Sequence, residues 1–412
     1  MLPEIIKLKI SILRYGVNFY PYNLFTNYPG IENFKTKKIK KTPKVFNKTV
    51  YDVSKDENLI PSEVILISEG YESVVKLRYS YKSPLELKVK NNEMYFLQNG
   101  SIIDIKVKFL RKLKILDEKT PVIVDNKSTF VDDFIDVVGV NRVSILLFEG
   151  CYNWICGNPC KFCDLHPKSL SDRVIKPTLN NLHKFDNNIE SWWKDSKDNF
   201  LLGVKYSLDK IVNYLQEHPI YIYLMAGNLP ENAWTWKIAI EILENISAIL
   251  SRINSKVYIN ISPHSNIQDL KKIKYLGVHQ VQYNLEVADK YLFENICPGK
   301  MKYDTFVLKL IEAVQVFGKG NVRTNFVFGL QNKFELLKNI EKLAKLGIVA
   351  DYSVFQPKKK TPLEYKSPPD FNDVLDFSFR LASIYRKYFF EPIFCSLSSR
   401  SSIMNEVFDF GL

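Results

Sequence analysis

The chain has 412 residues, 46% hydrophobic and 25% charged, a balance that excludes a disordered or collagen-like protein and suits a globular one of two or three domains. No apolar run approaches a membrane span, and Glu4, Lys7 and Lys9 interrupt the N-terminal apolar stretch, which argues against a signal peptide and for a soluble cytoplasmic protein. The net charge is +12, and residues 1–50 carry ten basic side chains against two acidic ones. That surface is either simply solvated or built to meet an anionic partner.

Residues 1–140 read as a basic, β-rich domain. Apolar runs at Val64–Ser68, Leu85–Val89, Glu93–Gln98, Ile102–Val107 and Val122–Val124 have strand character, and Asn91-Asn92 and Gln98-Asn99-Gly100 suit hairpin turns. From about residue 142 the rhythm changes. Strands are expected at Val143–Phe148, Ile220–Met225, Lys256–Ile261, Gln280–Leu285, Val322–Phe328 and Ala350–Phe355. Helices are expected between and after them, at Leu208–Glu217, Ala233–Arg252, Ile267–Leu276, Tyr303–Val316, Lys333–Leu346 and Asp370–Tyr388. Six βα units predict an α/β fold, a partial (β/α)6 TIM-like barrel over residues 141–390, with ligands at the carboxyl ends of its strands. Residues 164–205, polar and containing Trp192-Trp193, read as a long inserted loop, and residues 391–412 as a tail folded over the barrel mouth.

Four of the six cysteines, Cys151, Cys156, Cys160 and Cys163, fall within thirteen residues. In a long chain without a secretory leader such clustering points to metal or redox chemistry. Cys156, Cys160 and Cys163 form C-x3-C-x2-C directly after the first strand of the α/β part. Three thiolates can hold an iron–sulfur cluster with one iron left open for another ligand. Zinc is the alternative, with Cys151 or His166 completing a closed four-ligand site.

This motif at the end of strand one of a βα array, with Phe162 before the last cysteine, resembles radical S-adenosylmethionine (radical SAM) enzymes. The second strand runs into Ala226-Gly227-Asn228-Leu229-Pro230-Glu231, similar to the Gly-Gly-Glu-Pro motif whose backbone receives the amino group of SAM; Asn228 departs from it. Tyr283-Asn284-Leu285-Glu286 resembles the Asn-x-Glu strand of the biotin synthase and lipoyl synthase branch, and alternation puts Asn284 and Glu286 on one inward face. Gly329 to Glu335 resembles the turn near the adenine, and Val354-Phe355-Gln356-Pro357 with Thr361-Pro362 the end of the sixth strand. The resemblance implies a [4Fe-4S] cluster on Cys156, Cys160 and Cys163, and SAM against Phe162, Ala226, Gly227, Asn228, Asn284, Glu286, Gly329, Phe355 and Gln356. It implies reductive cleavage of SAM to a 5′-deoxyadenosyl radical, hydrogen abstraction from a substrate, and a reductant such as ferredoxin or flavodoxin. Sulfur insertion, methylation and carbon–carbon bond formation all stay open as outcomes, and a macromolecular or anionic substrate would suit the basic N-terminal region.

Cys151, Cys297 and Cys395 are left over. Buried packing, a second iron–sulfur cluster and a reactive thiol are the three readings, with Cys297, ahead of a Pro-Gly-Lys turn, and Cys395, in the tail, as the catalytic candidates. The Arg400-Ser401-Ser402 string resembles the C-terminal serine motif of lipoyl synthases, whose N-terminal cysteine motif is absent. The rival from another class is a zinc-stabilised nucleic-acid-binding protein that uses Cys151, Cys156, Cys160 and Cys163 with the basic N-terminus as its footprint.

Overall fold

The computed structural model describes residues 2–20, 25, 28–29, 31, 34, 36–39, 58–80, 82–110, 121–124, 127–165, 176–214, 220–253, 256–264, 266–392 and 401–412. His166, Cys395, Arg400 and most of the N-terminal lysine cluster, including Lys40, Lys41, Lys44 and Lys48, lie outside them.

The first element is a helix, α1 (Glu4–Tyr15), in a stretch to which the sequence reading assigned no structure. Ile5, Ile6, Leu8, Ile10, Ile12 and Leu13 are buried, so the helix is apolar nearly all round, the mark of one enclosed by other elements. A short pair, β1 (Thr36–Ile39) and β2 (Asn58–Pro61), precedes a five-stranded antiparallel sheet. Its strands are β3 (Glu63–Ser68), β4 (Tyr71–Lys76), β5 (Leu85–Lys90), β6 (Glu93–Gln98) and β7 (Ser101–Phe109), ordered β4-β3-β7-β6-β5. In β7, buried Ile105, Val107 and Phe109 alternate with exposed Lys106 and Lys108, as in a sheet wet on one face. Asn91, Asn92, Asn99 and Gly100 all have positive φ, which a two-residue hairpin turn requires. A hairpin of β8 (Pro121–Val124) and β9 (Lys127–Phe130) follows.

The larger sheet has seven strands in sequence order: β10 (Asp136–Val138), β11 (Arg142–Leu146), β12 (Tyr221–Met225), β13 (Lys256–Asn260), β14 (Val278–Gln282), β15 (Val322–Phe328) and β16 (Ile348–Val354). β11 to β16 are parallel, and β10 is antiparallel to β11, so the large sheet begins a few residues before 140. Along the chain the helices are α2 (Tyr152–Ile155), α3 (Ile189–Tyr214), α4 (Asn232–Leu250), α5 (Ile267–Tyr275), α6 (Lys290–Ile296), α7 (Tyr303–Phe317), α8 (Lys333–Lys345), α9 (Phe371–Tyr388) and α10 (Met404–Asp409). Phe328 and Tyr352 pack on Phe377 of α9, with ring centroids 4.3 and 5.1 Å away. Strand alternation therefore turns Asn325 and Ser353 to the opposite, inner face. No described helix is long and apolar enough to cross a membrane.

Two expectations change. Much of the 164–205 stretch is not a loop: it holds a 3-10 turn at Leu179–Phe185 and the start of α3, in which Trp192 and Trp193 are buried. Trp192 donates its indole N–H to Thr178 O (3.0 Å), and Trp193 donates to Glu241 of α4 (3.0 Å). Ile189, Trp193, Phe200, Val204, Leu208 and Ile211 form a helical stripe that the polar residues between them obscure in sequence. The described part of the tail meets the strand ends at β16 and then turns onto α9. α10 packs on α9, and Tyr71 of β4 packs on Phe410, because Met404 and Val407 are apolar and need a covered face. Ser401 and Ile403 follow the last strand: Ser401 O accepts from Val354 N (2.8 Å), Ser401 Oγ donates to Ser353 Oγ (2.8 Å), and Ile403 N donates to the Tyr352 hydroxyl (3.2 Å).

One polar joint ties these parts together. Lys9 of α1, fully buried, pairs with Glu406 of α10 at 2.5 Å and donates to Ser73 of β4 at 2.9 Å. Burial alone would raise the Glu406 carboxyl, but the Lys9 charge and the Lys9 and Ser73 hydrogen bonds hold it below its ordinary value.

Candidate metal centre at the strand ends

The cysteine loop leaves β11 and is gripped by three other loops. Tyr152 N donates to Asn228 O (2.8 Å), and Asn228 N donates to Cys151 Sγ (3.3 Å), which binds the loop after β12 to it. Lys161 N donates to Ile296 O (2.8 Å) at the end of α6. Leu363 N, in the segment after β16, donates to Lys161 O (3.3 Å), and Lys358 pairs with Asp164 (2.6 Å). Two glycines permit this closeness. A Cβ at Gly227 would stand 2.8 Å from Cys151 Cβ, and one at Gly299 would stand 2.5 Å from Asn153 Cγ. Gly157, at φ 76, turns the chain within the motif itself.

The thiols differ in surroundings. Cys156 is exposed, with Sγ 3.6 Å from Asn153 O. Cys160 and Cys163 are half-buried, and burial pushes the Cys163 thiol up to about 12. The buried Cys297 thiol beside Cys160 holds Cys160 below its ordinary value, and Cys160 in turn holds Cys297 well above. Burial raises the Cys151 thiol, and Cys160 lies close enough to influence it. Among the described residues, no three Cys, His, Asp or Glu side chains already converge as a metal-ion site. The donor chemistry nevertheless fits a cluster that takes three thiolates. All three ride one short loop anchored along its length, the outermost thiol has only a weak contact to give up, and the nearby carboxylate, Asp164, is taken by Lys358.

A cavity of about 320 Å³ adjoins Cys156, lined among others by Tyr152, Asn228, Ser262 and Lys300. Ser262 Oγ donates to Asn228 Oδ1, so the residue that departs from the expected motif is fixed by a partner on the next strand end. Ser262 escaped the sequence reading, since only the pairing of β12 with β13 brings it near. At the end of β14, Lys300 Nζ reaches Glu286 Oε1 (3.0 Å) and Asn284 O (2.6 Å). Burial alone would lower the Lys300 ammonium, but Glu286 and the neighbouring thiols hold it above its ordinary value. Asn284 Oδ1 accepts from Gln282 Nε2 (2.8 Å). Regular pairing ends at Gln282, and Glu286 has φ 68, so the Lys300 clasp, more than strand alternation, joins Asn284 to Glu286.

The remaining expected positions are spread around the same strand ends. Phe162 packs half-buried on the core, and Ala226 N donates to Asn260 O (3.4 Å). Gly329 has φ 107, and Phe355, buried, donates its N–H to Phe328 O (2.9 Å). Gln356 Nε2 donates to Leu13 O of α1 (2.5 Å), so its amide faces the N-terminal helix. Cys297 joins the cysteine loop instead of the cavity lining.

Over 135 residues the chain is 29% identical to bacteriochlorophyllide c C-7(1)-hydroxylase of Chlorobaculum limnaeum; the match spans 31% of this chain and 33% of that protein. No protein-family model matches. Among solved structures, methylornithine synthase matches with TM-score 0.40 and 15% identity, covering 62% of this chain and 63% of its own. The FeFe-hydrogenase maturase HydG of Carboxydothermus hydrogenoformans matches with TM-score 0.41 and 15% identity, covering 60% and 52%. Coproporphyrinogen III oxidase of Escherichia coli, a radical SAM enzyme, matches with TM-score 0.36 and 11% identity, covering 60% and 53%. With a C-x3-C-x2-C loop leaving the first of six parallel strands and clasped by the loops of the others, this chain resembles the radical SAM enzymes.

Proposed function

We propose that the chain is a radical SAM enzyme holding a [4Fe-4S] cluster on Cys156, Cys160 and Cys163. The observation that carries this reading is the anchoring of a three-thiol loop by the segments after β12, α6 and β16, at the strand ends where βα folds bind ligands. Cluster and SAM together supply one-electron cleavage of the sulfonium and a 5′-deoxyadenosyl radical that takes hydrogen from a carbon. The chain's residues supply the enclosure. Gly227 and Asn228 set the backbone next to the loop, Asn284 and Glu286 present polar groups on the inner side, and Lys300 holds those two in place. Asn325 and Ser353, also on the inner face and linked at 3.3 Å, offer hydrogen-bonding groups to a substrate together with the tail's Ser401, whose hydroxyl donates to Ser353 (2.8 Å). The hydroxylase activity in the relative's name likewise requires breaking a carbon–hydrogen bond. Ferredoxin or flavodoxin would deliver the electron.

The test is iron and sulfide content with a visible spectrum on anaerobically purified full chain, followed by 5′-deoxyadenosine formation from SAM and dithionite. About four irons per chain and deoxyadenosine support the reading. About seven or eight irons would add a second cluster. Zinc without iron overturns it.

A further inference from the structure

We propose that the lysine turn after β16 is the docking surface for the reductant, and that the partner it fits is a small acidic electron carrier of the ferredoxin or flavodoxin class. The inference rests on the cluster reading above and names where its electron enters. Lys358, Lys359, Lys360 and Lys366 are exposed, and with half-buried Lys161 of the cysteine loop they stand against two carboxylates, Asp164 and Glu364. Both carboxylates are engaged: Asp164 pairs with Lys358 (2.6 Å), and Glu364 accepts the backbone N–H of Lys360. Lys359, Lys360 and Lys366 have no ion-pair partner among the described residues. Apolar surface is set among these charges, with Leu165 37% and Tyr365 92% exposed, the mixture that protein interfaces use.

The turn is rigid and close to the thiols. Lys358 O accepts from Thr361 N (3.3 Å) and Thr361 Oγ1 (2.7 Å), and Leu363 N ties the segment to Lys161 O (3.3 Å). The N-terminal part holds both ends: Arg78 donates to Pro357 O (3.1 Å), and Arg14 donates to Pro369 O (2.6 Å). Asp164, the partner of Lys358, directly follows Cys163, so the patch begins one residue, about 3.8 Å of chain, from a proposed cluster ligand. Electron tunnelling falls steeply with distance, so a donor must dock beside the ligands. The lysine turn does not line the cavity at Cys156, so a carrier seated on it leaves that cavity open to SAM and substrate. Transfer is of one electron: the reduced carrier is oxidised, the cluster is reduced, and no atom moves. Charge selects the partner, because a positive patch steers an acidic protein to it. Three unpaired lysines fall short of the roughly 6–10 phosphate contacts of a duplex-binding protein.

The experiment follows, by anaerobic stopped-flow absorbance, reduction of the reconstituted full chain by reduced flavodoxin and by reduced [2Fe-2S] ferredoxin. Wild type is compared with Lys359→Glu/Lys360→Glu and with Lys106→Glu/Lys108→Glu, which reverses two exposed lysines of β7. Photoreduced 5-deazaflavin serves as a small uncharged reductant, and iron content is determined alongside. In the turn variant the second-order rate with a carrier is expected to fall about tenfold or more, with iron content and the deazaflavin rate unchanged. The wild-type rate should fall as salt rises, and the β7 variant should stay within about twofold of wild type. Unchanged rates in the turn variant overturn the proposal, as does wild type reduced by deazaflavin but by neither carrier; both leave the cluster reading standing. Equal slowing in the two variants overturns it too, since net charge alone would then explain the effect. Lost iron or slower deazaflavin reduction in the turn variant would make the turn structural and overturns it. RNA or duplex DNA binding that the turn variant loses, with carrier reduction unaltered, would assign the lysines to nucleic acid. Wild type that takes up no iron fails the cluster reading and the docking site with it.

Discussion

Cys160, proposed as a cluster ligand, and Lys300, bonded to both Asn284 and Glu286, carry the predictions at the residue scale. Cys160→Ala is expected to abolish cluster assembly, read as iron per chain after anaerobic reconstitution; full loading would remove it from the ligand set. Lys300→Met would leave Glu286 buried without its cation. Breaking such a pair on one side costs about 3–5 kcal/mol, to be read from urea unfolding of the full chain. A loss under about 1 kcal/mol would show that Glu286 finds another partner or water. The Lys300 linkage is not legible in the sequence. The Asn-x-Glu string and the Pro-Gly-Lys turn stand out in sequence, but their contact depends on the left-handed turn at Glu286, which no local residue preference announces.

At the scale of elements, the loop after β12 and the helix α3 behave differently. Gly227→Ala places a methyl against Cys151, so the cysteine loop must shift. The expected cost is about 1–3 kcal/mol of stability, with reduced iron loading; normal loading would show that the loop yields without harm. Trp192→Ala empties a fully buried site between Phe148 and Thr178, at a cost of about 3–5 kcal/mol by chemical denaturation, without altering the metal centre. The six parallel strands were readable because strands buried on both faces are near-continuous apolar runs. The start of α3 was not, because its apolar residues recur on one face only and lie among lysines and aspartates.

For the molecule as a whole, the Lys9–Glu406 joint decides how the N-terminal sheet, α1 and the C-terminal helix hold together. Lys9→Met should cost about 3–5 kcal/mol, and the double variant Lys9→Met/Glu406→Met should recover part of that, because no unpaired charge stays buried. The pH dependence has a defined sign. The folded Glu406 carboxyl is depressed, so its contribution is present above the unfolded value near 4.5 and is lost as pH falls through the folded value. In Lys9→Met the buried carboxyl has no cation and prefers its proton, so the stability gap between wild type and variant should narrow on acidification from pH 7 to pH 4. A gap constant with pH would show that Glu406 does not titrate differently in the two proteins.

The sequence by itself determined the class of the fold, the order of the βα units and the loop on which three thiols sit. Those features arise from local causes: periodic burial along a strand or helix, turn residues with positive φ, and cysteines a few residues apart. Tertiary structure alone decided what meets that loop. Ile296, far along the chain, meets the cysteine loop because its carbonyl accepts a hydrogen bond from Lys161 N (2.8 Å). Glu406 finds Lys9 across 397 positions for a similar reason: an apolar helix in the tail had to be covered, and the only way to bury its charge was to pair it.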